Sequence, residues 1–212
     1  VMHNPVIVIN VNMGSKGHQI GRLLASCDNV LWFDHEGNGN HPWEPCSGIL
    51  NAELNGFHFD RRFADNSTIA PVLDYARRSG LPERPELSFD RCGDGEYVMY
   101  VSHSDLDQTR DYFKGKHLVV LNKDVDRFFK TTWFFRVGKT NHLISDLYSP
   151  EDIEPMLINT LENYETNVNL NDFVIDTIDD LLDIDNFKLL CEQFSLGFNE
   201  DNYNKVIEFL KQ

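Results

Sequence analysis

The chain reads as an α/β protein with a mainly parallel sheet flanked by helices, and three observations predict it. Short runs of strand length, rich in β-branched and apolar residues, recur along the chain. Segments with apolar residues at helical spacing alternate with them, as in parallel α/β folds. The first such run breaks into a glycine-bearing polar loop before its helix, a strand–loop–helix unit.

The elements follow in order. Val6, Ile7, Val8 and Ile9 form a first strand, and Ile20, Leu23, Leu24 and Cys27 repeat at helical spacing. Residues 13–19 make the turn, where Gly14 and Gly17 allow conformations and close approaches that a Cβ would obstruct. A helix opening there has amides without intrahelical partners and a positive dipole end, which together favour an anion, and Lys16 adds a full charge. Neither G-x-x-x-x-G-K-[ST] nor G-x-G-x-x-G occurs in it. VLWF at 30–33 reads as a second strand, followed by the turn-rich HEGNGNHPWEPCSG. Asn66 or Ser67 can cap a helix carrying Ile69, Val72, Leu73 and Ala76, and residues 81–95 read as an irregular excursion.

YVMYV at 97–101 and LVVL at 118–121 are the next strands, and both run into polar residues. In an open parallel sheet, ligands sit outside the carboxyl ends of the strands, so His103, Asn122 and Lys123 belong to the edge that also carries the first loop. DFVID at 172–176 is a fifth strand. Residues 183–198 and 199–212 form two amphipathic helices with Leu189, Leu190, Phe194, Val206, Ile207 and Leu210 in the core. The acidic run DTIDDLLDIDN lacks the EF-hand ligand order and reads as a strand exit and solvated helix start.

With 212 residues, 41% hydrophobic and 25% charged, the chain is expected to form a single domain over 1–212. Nineteen basic against 34 acidic residues leave a net charge of −15, a field that repels nucleic acid and anionic membranes. Neither a membrane-length apolar run nor a signal peptide is present, so a cytoplasmic protein is expected. Cys27, Cys46, Cys92 and Cys191 form no C-x-x-C pair and read as reduced thiols; His35, His41 and Cys46 match no zinc spacing, so no metal is expected.

The motif order resembles the sulfotransferases that use 3'-phosphoadenosine 5'-phosphosulfate. GSKGHQIGRLLASCDNVLWF is similar to their 5'-phosphosulfate loop, the helix after it and the second strand; YVSHSDL is similar to their KTHLP segment; HLVVLNKDVDRFFKTTWFF is similar to the segment that grips the 3'-phosphate. FVIDTIDDLLDIDNFKLLCEQFSLGF is a weaker likeness to their YEDLL strand exit and following helix. The resemblance implies a P-loop-type three-layer fold with a mainly parallel five-stranded sheet. It implies that Gly14, Ser15, Lys16, Gly17, His18 and Gln19 cradle the phosphosulfate, with Lys16 and His103 catalytic. Asn122 and Lys123 stand where the family has an arginine, and Lys130 or Thr131, of which only Thr131 has a hydroxyl, stands for its serine, so Asn122, Lys123 and Thr131 would meet the 3'-phosphate.

The implied reaction is transfer of a sulfuryl group from 3'-phosphoadenosine 5'-phosphosulfate to a hydroxyl or amine of a small-molecule or carbohydrate acceptor, without a metal. Lys16 and loop amides would hold the oxygens, and His103 would take the acceptor proton. Two alternatives stay open at this point: a non-catalytic sulfotransferase-like binding domain, and a nucleotide-dependent phosphotransferase. Trp43, Phe57 and Phe59, in the variable connections, either stack on an acceptor or seal a small subdomain, with sealing preferred.

Overall fold

The computed structural model describes residues 6–12, 15–32, 41–44, 58–59, 93–102, 105–112, 115–124 and 150–212. Strand β1 (Val6–Val11) is buried along its whole length, as a central parallel strand covered on both faces must be. It pairs in parallel with β3 (Val98–Ser102) on one side and β4 (Lys116–Val120) on the other, and β5 (Phe173–Ile175) continues the sheet beyond β4. A two-residue segment, β2 (His58–Phe59), runs parallel to the end of β3, giving the order β2-β3-β1-β4-β5.

Because side chains alternate across a strand, the sheet builds a core on each face. Ile7, Ile9, Val11, Met99, Val101, Leu118 and Val120 join the main core, which receives Ile20, Leu23 and Leu24 from α1 (Gly17–Leu24) and Phe187, Leu190 and Phe194 from α5 (Ile184–Phe194). On the opposite face Val119 and Leu121 pack with Leu106 of α2 (Leu106–Tyr112) and Tyr164 of α3 (Pro150–Asn167). Arg110 of α2 pairs with the buried Asp172 carboxylate and donates to the Asn167 carbonyl, tying α2 to the entry of β5.

The C-terminal unit is tied to the end of α1. Asp28 N–H donates to the Gly197 carbonyl (2.8 Å), Gly197 N–H to Asn29 Oδ1 (2.7 Å), and the buried thiols of Cys27 and Cys191 lie 3.5 Å apart. Hydrogen bonding to Cys191, together with burial, raises the Cys27 thiol far above its ordinary range. In α6 (Glu200–Leu210), Phe209 joins Trp32 in stacking on the Arg22 guanidinium, which also donates to the carbonyls of Pro42 and Glu44.

Three expectations are corrected or extended here. Of the strand expected at 30–33, residues 30–32 retain one parallel bridge, between Val30 and Tyr97, with Trp32 packed in the main core; Phe33 lies outside the described residues. Leu189, expected in the core, is 56% exposed, while its neighbours Leu190 and Phe194 carry the buried face of α5. Helices α2 and α3 were not anticipated: α2 is short and polar, and Pro155 interrupts the apolar periodicity of α3. The helix expected around Ile69–Ala76 lies outside the described residues. The acidic run behaves as read. Asp180 accepts the amides of Asp176 and Thr177 at the start of α4 (Asp179–Leu182), and Asp183 caps α5 through the amides of Asp185 and Asn186.

Candidate anion site at the sheet's carboxyl edge

The strand order determines where a crevice opens. From β1 the chain leads away toward the β2–β3 side of the sheet, whereas from β4 it leads toward β5. The carboxyl ends of β1 and β4 are thus adjacent while their outgoing connections diverge, which defines a topological switch point, the usual ligand position in open α/β sheets.

The two sides of that crevice touch. After β1, Ser15 is buried and donates its amide to the Asn12 carbonyl (3.0 Å). After β4, the Asn122 side chain reaches across and donates Nδ2–H to Ser15 Oγ (3.1 Å). The first loop and the β4 exit, both singled out from sequence, are therefore in contact.

Its backbone is unusual. Lys16, the residue before α1, has φ 59° and ψ 32°, and Asn122 has φ 50°. Of the three non-glycine residues with positive φ among those described, two flank this crevice; the third, Ser195, simply terminates α5. Such conformations cost about 1 kcal/mol or more for residues with a Cβ and concentrate where structure serves function.

The local charge is mixed. The Lys16 side chain makes no cap bond at the N-terminus of α1 and no acidic residue occupies the helix's first turn, so neither offsets the positive end of the helix dipole there. Lys16 and Lys123 are exposed, and His18 and Gln19 are half-buried in the first turn. Against them stands Asp176, at the exit of β5. Its backbone carbonyl accepts the Asn122 amide (2.8 Å), and its Oδ1 accepts the Lys123 amide (3.0 Å). Asp176 was missed as a site residue because it lies inside the acidic run; its position one residue beyond a parallel strand was the available signal.

Gly17 explains how the helix comes so close. A Cβ there would lie 3.0 Å from Val11 Cγ2 and 3.1 Å from Val101 Cγ1, so glycine lets the first turn rest on β1 and β3. Ser15, Lys16, Gly17, Asn122 and Lys123 thus gather at one edge. Gly14, His103 and Thr131 lie outside the described residues, as do Phe57, His35 and Cys46. Trp43 packs against the main core, stacks on His41 (4.6 Å) and lies under Lys205 Nζ (4.7 Å). Among the described residues there is no group of three or more His, Cys, Asp or Glu able to hold a metal, and no helix long and apolar enough to cross a membrane. In comparisons with known proteins, no family model matches the chain, and neither a curated protein nor a solved structure matches it significantly.

Proposed function

We propose that the chain is a divergent sulfotransferase-like protein of P-loop type that binds the phosphosulfate end of 3'-phosphoadenosine 5'-phosphosulfate in the crevice between the carboxyl ends of β1 and β4. The observation that carries this reading is the Ser15–Asn122 contact across the switch point, beside a helix start with no acidic residue in its first turn and two exposed lysines. These supply amide dipoles and positive charge to a dianionic or monoanionic oxygen cluster.

In the proposed reaction, an acceptor oxygen or nitrogen attacks sulfur in line and the bond from sulfur to the bridging phosphate oxygen breaks. Lys16 and the loop amides stabilise the charge that develops on that oxygen. His103, directly after β3 in sequence, takes the acceptor proton; an ordinary imidazole pKa near 6.5 suits a general base at neutral pH. Lys123 would meet the 3'-phosphate as a point charge without the bidentate fork of an arginine, with Thr131 assigned to it by the resemblance alone. The acceptor is a small molecule or carbohydrate bearing a hydroxyl or amine.

Calorimetric titration with adenosine 3',5'-bisphosphate tests the site. One-to-one binding is expected, and Lys16→Ala should weaken it about tenfold or more, since a hydrogen bond to a charged group contributes about 1.5 to 3 kcal/mol. An absence of binding by the parent, or an unchanged Kd in a Lys16→Ala protein of unchanged Tm, rejects the reading. On an acceptor found by screening, His103→Ala should retain nucleotide binding and lose about 10² to 10⁴ in turnover.

A further inference from the structure

We infer that Asn122 and Asp176 are positioning residues that set the Ser15 hydroxyl as a hydrogen-bond donor to the bound oxyanion. The inference rests on the anion-site reading above and adds to it a side chain that acts through another.

The geometry runs inward from β5. Asp176 holds two consecutive amides beyond β4, taking Asn122 N–H on its carbonyl and Lys123 N–H on Oδ1. Two bonds from one residue to adjacent amides fix the backbone at Asn122, which adopts φ 50°. Asparagine is among the few residues with a Cβ that enter this region readily. From this left-handed position its side chain reaches Ser15, where Nδ2–H occupies an acceptor position of the hydroxyl at 3.1 Å. A serine hydroxyl has one proton to donate. With a donor already on its oxygen, Ser15 Oγ directs its own proton elsewhere, and a donor received on one side strengthens the donor offered on the other. Ser15 is nearly buried and its amide is engaged by Asn12, so the hydroxyl has few other orientations.

A purely structural Asn122 would be replaced by glycine without loss, because glycine accepts positive φ more easily. Asn122→Gly therefore separates the two roles. The Tm should hold or rise, while affinity for adenosine 3',5'-bisphosphate falls about tenfold and the amides of residues 15–19 exchange hydrogen faster. Ser15→Ala should show the same loss of affinity, and the double variant no further loss, as expected for two residues acting in series. Asp176→Asn, which keeps an Oδ1 acceptor, should protect those amides as the parent does; Asp176→Ala should not.

Parent-like affinity and exchange in Asn122→Gly overturn the inference, as do additive losses in the double variant. The exchange measurement needs no ligand. If the parent fails to bind the nucleotide, the sulfotransferase reading falls, and fast exchange in Asn122→Gly and Asp176→Ala alone decides whether these residues hold the loop.

Discussion

Gly17→Ala offers the sharpest test of how the loop is built. The added Cβ would sit 3.0 Å from Val11 Cγ2 and 3.1 Å from Val101 Cγ1, whereas carbon atoms pack best at about 3.5 to 4.0 Å. Both valines are fully buried in the main core, so neither can swing away. Overpacking of this kind costs about 1 to 3 kcal/mol. Gly17 has no positive φ, so alanine is otherwise compatible and recovers about 0.4 to 1 kcal/mol by restricting the unfolded chain. The net expectation is a loss of about 1 to 2 kcal/mol, or a Tm lower by about 2 to 8 °C for a chain of this size. Because relief comes by lifting the first turn of α1, nucleotide affinity should fall as well. Thermal unfolding and calorimetry of Gly17→Ala, Val101→Ala and the double variant measure both effects. The double variant should be more stable than the sum of the singles by about 1 kcal/mol, since the smaller residue at 101 opens the space. A Gly17→Ala protein as stable as the parent, or strictly additive effects, would refute the close-approach argument.

Two further perturbations probe the frame around the site. Gly115→Ala should be far more damaging, at least about 3 kcal/mol in urea unfolding, because its Cβ would fall 2.3 Å from the Val6 carbonyl oxygen, a backbone atom held in the sheet; near-parental stability would disprove that packing. Burial, with a smaller contribution from Asp183, pushes Tyr203 from 10.0 up to about 12, and its hydroxyl donates to the Leu181 carbonyl at 3.0 Å. The folded state then keeps a proton that the unfolded chain releases between these values. This stabilisation, roughly 3 kcal/mol at most, is full below pH 10 and lost as pH rises toward 12. Tyr203→Phe should be less stable than the parent at pH 8 and show a shallower decline above pH 10; an unchanged decline would show that the phenol does not carry it.

Much of the frame was legible along the chain. The apolar runs of β1 and β4 announced themselves because a parallel strand buried on both faces needs continuous apolar residues, and β3 and β5 were legible as short apolar runs of strand length. The C-terminal helices were equally plain, since Phe187, Leu190, Phe194 and Val206 repeat with the helical period and meet one core. The first loop drew attention through Gly14, Lys16 and Gly17, a local change of chemistry between two apolar segments. Trp32 and Leu189 misled because an apolar residue reports only that it favours burial: which partner it meets, or whether it meets one, depends on elements distant in sequence.

The sequence by itself determined the α/β class, most strand positions and the identity of the polar edge, because these follow from periodicity and from residues close along the chain. Only the tertiary structure decided that β1 and β4 are neighbours whose exits diverge, and that Asn122 reaches Ser15 over 107 positions. It also decided that Asp176, one aspartate in an acidic run, holds the amides of Asn122 and Lys123 from which that side chain reaches across. Strand order and left-handed backbone arise from the competition of packing and hydrogen bonding across the whole sheet. No local pattern of residue types encodes the outcome of that competition.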